Sequence, residues 1–181
     1  MMLLLGSSGE VTALGQERAI SSASIIEKPL MPARGRIYDC GANAVFCMAR
    51  LLGVNITYTE ALELVPVRPL EGNNMLELKA ALSTLDCQME GFWLDANELT
   101  ELTVPAIVLH RPSGCASSAT NSNEKIGHFL IAWPLDPWHM MLIDLAGRSR
   151  LINRQAWRAN LLSRGVSRVA VLIYTPPKAD S

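Results

Sequence analysis

The spacing of hydrophobic positions changes character near residue 87. Before it, apolar residues recur at helical spacing. Val45, Met48 and Leu52 fall on one face of a predicted helix opening at Cys40, with Ala44 and Leu51 beside them. Asp39 precedes this run as a cap expected to accept from its first free amides, and Gly53 supplies a left-handed stop. After 54–58, Thr59 is expected to cap a short helix ending before Pro66. Asn74 and Glu77 have the spacing of a capping box, and Leu78, Ala81, Leu82 and Leu85 continue an amphipathic helix. From Cys87 onward the apolar runs shorten and read as strands: 87–94, 104–110, 127–133, 138–144, a short one near 149–152, and 166–174. Asp95 to Glu98 predicts a capped helical turn, and Asn153 caps a last helix running through Trp157 and Leu161 to Gly165. Helices first and antiparallel strands second predict an α+β fold, N-terminal helices packed on a C-terminal sheet.

The flanks carry less pattern. Residues 1–35 read as a weakly structured N-terminal arm, with one short helix around 11–20 and the breakers Pro29, Pro32 and Gly35. Pro176 and Pro177 open a tail, 176–181. The polar stretch 111–125 is long for a loop in a compact domain and reads as mobile or functional.

Composition narrows the function classes. The 181 residues are 49% hydrophobic with mean hydropathy +0.19, which fits one folded domain and excludes a disordered chain. A net charge of −1 gives no reason to expect nucleic acid as a partner. The apolar opening Met1 to Leu5 stops at Gly6 and lacks a basic start; no integral membrane segment or signal peptide is expected, and the predicted location is cytoplasmic. Charge is unevenly placed. Residues 145–178 contain no carboxylate but carry Arg148, Arg150, Arg154, Arg158, Arg164 and Arg168, whereas 57–101 is acidic. Two oppositely charged surfaces are the favoured reading, and an anionic ligand on the basic third is the alternative.

Cys40, Cys47, Cys87 and Cys115 form no CxxC pair, which argues against a zinc ribbon or a thioredoxin-type motif, and no cofactor is implied. Cys40 and Cys47 lie about 10 Å apart by helical rise, too far for a disulfide. Cys40 alone stands in the first turn of a helix, where the dipole favours a thiolate. A cysteine nucleophile needs an imidazole to take and return its proton, and the imidazole needs an acceptor to orient it. His128 on one strand and Asp144 ending the next of a hairpin offer both. Each has a plainer reading: a buried apolar thiol, a hydrogen-bonded core histidine, a turn aspartate. His110, bordering the polar stretch, and His139, after a Pro-Trp turn, are weaker choices. Neither a Gly-x-Ser-x-Gly elbow nor a phosphate-binding glycine loop is present.

The order Asp39-Cys40-Gly41, a helix after Asn74, Leu102 to Ile107, Gly127-His128-Phe129-Leu130-Ile131, Leu142-Ile143-Asp144 and a late segment 151–157 resembles the bacteriocin-processing, double-glycine-leader peptidases. These are papain-like cysteine peptidases often joined to peptide-exporting ABC transporters. The resemblance spans roughly 34–174 and implies a papain-like domain over 36–175. It also implies Cys40 as nucleophile, His128 as acid/base, Asp144 as orienting residue and a peptide or protein as substrate, cut after a Gly-Gly pair. Association with an exporter is left open. Two positions depart from the family pattern. Arg34 stands where a glutamine amide usually stabilises the oxyanion, and Leu145 stands where proline usually follows the aspartate. Arg34 could substitute as a donor, or could mark a peptide-binding module of the same fold that no longer cuts. Another papain-like thiol amidase or acyltransferase is a further alternative.

Overall fold

The computed structural model describes residues 39–68, 72–110, 128–144 and 148–177. The N-terminal arm, Arg34, Cys115, Leu145 and the stretch 111–125 lie outside them. Within them the chain runs α1 (Cys40–Leu51), α2 (Tyr58–Leu64), α3 (Met75–Ser83), β1 (Met89–Leu94), α4 (Ala96–Thr100), β2 (Ala106–His110), β3 (His128–Pro134), β4 (His139–Ile143), β5 (Ser149–Asn153), α5 (Arg154–Ser163) and β6 (Val169–Tyr174).

Helix starts follow local chemistry. Asn74, Asp95 and Asn153 cap α3, α4 and α5 as predicted, and the first two close full capping boxes with Glu77 and Glu98. The cap of α2 is Thr57, not Thr59. Thr57 has Glu60 three residues on, which accepts a 2.7 Å hydrogen bond from the Thr57 amide; the residue three after Thr59 is Leu62, which cannot reciprocate. Asp39 also departs from expectation. It precedes α1, but its backbone (φ −93°, ψ 12°) is not the extended conformation of a capping residue, and its side chain bonds none of the helix amides. The carboxylate instead accepts from the Tyr58 hydroxyl at 3.3 Å, tying α2 to the start of α1. Gly53 and Gly165 end α1 and α5 at φ +88° and +67°, which L side chains rarely adopt.

The strands form a six-stranded antiparallel sheet in the order β1-β6-β2-β3-β4-β5. Because successive strand residues point to opposite faces, it carries two cores. Ile107, Phe129, Ile131, Ile143 and Leu172 face α1, α2 and α3. Ala106, Val108, Ala132, Met140, Leu142 and Val171 face a second layer formed by α4 and α5. The sequence pattern predicted the first layer; the second is an addition, made by helices that interrupt the strand region.

Arg154 fixes that second layer. It is buried (8% exposed); its Nη1 donates to the carbonyls of Thr100 and Leu102 at 2.8 Å each, and its Nε to that of His139 at 3.4 Å. A cation thus closes the C-terminal end of α4, where helix carbonyls lack partners. At the sheet's edges, β1 pairs only with β6 and β5 only with β4 among the described residues, and four of the five β5 residues are exposed.

Candidate active site

Cys40 is the first residue of α1 and is 2% exposed. The backbone N–H groups of Phe129, Gly41 and Cys40 itself lie close enough to its sulfur to favour the anion. Burial has the largest effect on the thiol and pushes its pKa above the ordinary value; the three amides pull it down without reversing this, and the nearby Asp39 carboxylate adds to the rise. The resting group is therefore a thiol held among donors that favour its anion.

The Phe129 amide lies where pairing of the sheet changes. The β4 partners of β3 run from Ile131 to Pro134, so residues 128–130 extend beyond β4, and the start of α1 meets β3 there. Cys40 consequently touches the backbone one residue from His128. By strand alternation His128 shares the face of Leu130 and Ala132, not that of Phe129 and Ile131, which pack toward α1. Its Nδ1 is buried and makes no hydrogen bond.

Directly across the β2–β3 register from His128 stands His110. Burial, then the charges of Arg164 and of His128, lower the His110 pKa and keep that ring neutral. Asp144 follows β4, in register opposite Leu130 if the pairing is continued from Ile131 and Ile143, and so is offset by two residues from His128. Its carboxylate accepts from the Arg148 amide and from Arg148 Nε, each at 3.1 Å, closing the turn to β5. Asp144 also lies within electrostatic range of Cys47, two turns along α1 from Cys40. Cys40 thus meets β3 one residue from His128, Asp144 lies nearer Cys47, and no hydrogen bond joins the three side chains among the described residues.

Two neighbours were not singled out by sequence, and a third, His110, stood there only as a weaker choice, although antiparallel strands flanking one long connection bring their near ends together. Asn43 lies one turn on from Cys40, 2% exposed, with both Nδ2 and Oδ1 buried and unpartnered. A polar residue on an otherwise apolar stripe was its signal. Asn73, just before α3, packs so closely on Gly41 that a Cβ there would lie 2.7 Å from its Cγ and 2.8 Å from its Cβ. Glycine beside the nucleophile is therefore required by packing rather than by backbone conformation.

A cysteine at a helix N-terminus, seated against a strand of an antiparallel sheet next to a histidine, is the papain-like cysteine peptidase fold. The sequence profile of the peptidase C39 family matches residues 33–160, more than half of the chain, and the chain belongs to that family. Two solved structures show the same fold. One is a double glycine motif protease from an AMS/PCAT transporter in complex with the leader peptide: 15% identity, 81% of this chain and 89% of that one, TM-score 0.57. The other is the peptidase domain of Streptococcus ComA, a bi-functional ABC transporter involved in quorum sensing: 16% identity, 80% and 97% coverage, TM-score 0.52. No curated protein matches the chain by sequence. No described helix is long and apolar enough to cross a membrane.

Proposed function

We propose that this chain hydrolyses a peptide bond with Cys40 as nucleophile, His128 as acid/base and Asp144 as the residue that orients His128. The observation that carries the reading is the seat of the Cys40 sulfur, at the N-terminus of α1 and on the Phe129 amide, one residue from His128. In the reaction, His128 takes the thiol proton as the sulfur attacks the scissile carbonyl. The tetrahedral oxyanion collapses, the C–N bond breaks, and the departing amine takes the proton from His128. Water, deprotonated by the same imidazole, then cleaves the thioester and regenerates the thiol. The Cys40 and Gly41 amides lie at the sulfur and are available to the oxyanion, a contribution of about 3–4 kcal/mol per donor in such sites; Arg34 is the candidate for a side-chain donor. Productive alignment needs the His128 side chain to come from the face of Leu130 and Ala132 toward Cys40, a change in the backbone at the first residue of β3. The substrate in this reading is a leader peptide ending in Gly-Gly, by kinship with the double glycine motif protease.

The test is cleavage of synthetic Gly-Gly leader peptides followed by mass spectrometry. The parent chain is expected to release a fragment ending in Gly-Gly, and Cys40→Ala to release none while keeping its circular dichroism and thermal midpoint. Cleavage surviving in Cys40→Ala would overturn the assignment. A second reading is a module that binds such peptides without cutting. It is favoured by the absence of a hydrogen bond between Cys40 and His128 and by a thiol held protonated by burial. It predicts saturable peptide binding with no product and no acyl group on Cys40.

A further inference from the structure

We infer that the far end of the second helical layer holds an oxyanion-binding site, for a small ligand presenting a carboxylate or a phosphate, separate from the candidate active site. A cleft of about 780 Å³ opens where α4 ends and α5 begins, walled by Thr100, Thr103, Pro134, Leu135, Arg154 and Arg158. That volume suits a metabolite-sized molecule. It lies at the C-terminal end of β3, whereas Cys40 sits at the N-terminal end of the same strand; the length of that strand places them about 20 Å apart.

Two arginines line this cleft, and neither has a counter-ion among the described residues. Arg154 is buried; its Nη1 and Nε serve carbonyls, and its Nη2 makes no hydrogen bond. Arg158, one turn further along α5, has its Nε buried with no partner. No described carboxylate lies within ion-pair distance of either. Two like charges at i and i+4 repel, and a buried charged N–H without an acceptor is costly, so the pair has an unmet demand for negative oxygen. The planar fork of arginine answers to a carboxylate or a phosphate.

Two carboxylates stand near and do not meet that demand. Asp136 is committed to its own turn, accepting from the amides of Trp138 and His139 and contacting His139 Nδ1 at 3.0 Å. Glu101, also at the cleft, is exposed and pairs with neither arginine. Asn97, Gln155 and the Thr103 hydroxyl supply neutral polar groups for the rest of a ligand. The six arginines of residues 145–178, with no carboxylate among them, thus have a specific focus in the pair on α5.

The experiment is thermal denaturation of the full chain in sodium phosphate, in sodium citrate and in sodium chloride of matched ionic strength, on the parent and on Arg158→Gln. Arg158 is chosen because Arg154 also holds α4 in place. The expected result is a saturable rise of the thermal midpoint in phosphate or citrate over the chloride control. The apparent dissociation constant should weaken at least tenfold in Arg158→Gln. A response to phosphate alone identifies a phosphorylated ligand, and a response to citrate alone a carboxylate. Midpoints that track ionic strength only, or an equal response in Arg158→Gln, overturn the inference.

Discussion

Gly41→Ala puts the packing beside the nucleophile under a quantitative test. A methyl group here is helped by helix propensity, worth at most about 1 kcal/mol over glycine. It is opposed by Asn73, whose Cγ and Cβ would lie 2.7 and 2.8 Å from the new carbon, with Oδ1 closer still. Ordinary carbon contacts need about 3.5 Å or more, so the whole Asn73 side chain must move and not merely rotate. Moving it breaks the bonds from Nδ2 to the Pro66 carbonyl (3.1 Å) and to Glu77 Oε2 (3.4 Å), each worth about 1 kcal/mol. Residual strain adds about 1 kcal/mol or more. The net expectation is a loss of about 2 kcal/mol, read as a lower urea midpoint with an unchanged slope. Two backgrounds make the reasoning testable. In Asn73→Gly nothing remains to collide, and Gly41→Ala should become neutral or stabilising. In Asn73→Ala the Cβ remains, and the substitution should still be costly. Equal stability of Gly41→Ala and parent, or the same cost in both backgrounds, would refute the account.

Two other outcomes follow from buried groups. Asn43→Leu replaces a carboxamide whose two polar atoms lack partners, and is expected to stabilise the fold by about 1–3 kcal/mol in urea denaturation; a loss of that size would mean the amide is satisfied in solution. Burial, then the charge of Asp144, pushes the Cys47 pKa up to about 12 from an ordinary value of 9.0. Between those values the unfolded chain has released a proton that the folded chain keeps, so stability present below pH 9.0 is lost as pH rises toward 12. Cys40 and Cys87, also raised by burial, act in the same direction. Denaturation midpoints measured from about pH 8 to about pH 10.5 should fall. The fall should be shallower in Cys47→Ala, and an equal slope would remove Cys47 as a cause.

Much of this fold was legible because its cues are local. Asn74 with Glu77, Asp95 with Glu98, and Asn153 announce helix starts through bonds spanning two or three residues, and strand periodicity needs only neighbours. Errors arose where a tertiary partner overrode the local cue. Asp39 looks like a cap, yet Tyr58 claims its carboxylate from a different helix. The misplaced cap of α2 is different in kind: Glu60, three residues after Thr57, is a local cue that Thr59 lacks. At the candidate site, Cys40 was legible from its place at a helix start, but nothing local says that its sulfur meets the Phe129 amide or that His128 faces His110. Those are facts of register between segments far apart in the chain in the first case and across a long connection in the second. The pairing of Arg154 with Arg158 is visible as helical spacing, whereas the lack of counter-ions is visible only when the charges around α5 can be placed.

The outer edge of β5 bears on how the protein behaves at high concentration. An open sheet edge is a template on which a second copy can pair, and apolar edges aggregate. Here Leu151 is 61% exposed and adjoins Ile152, and the neighbouring position is occupied by the exposed Arg150. That charge works as a gatekeeper: two chains docking edge to edge would bring like charges together. Arg150→Val would leave an uninterrupted β-prone Val-Leu-Ile run on the outermost strand. The chain would then be turned toward self-association without any change in its interior.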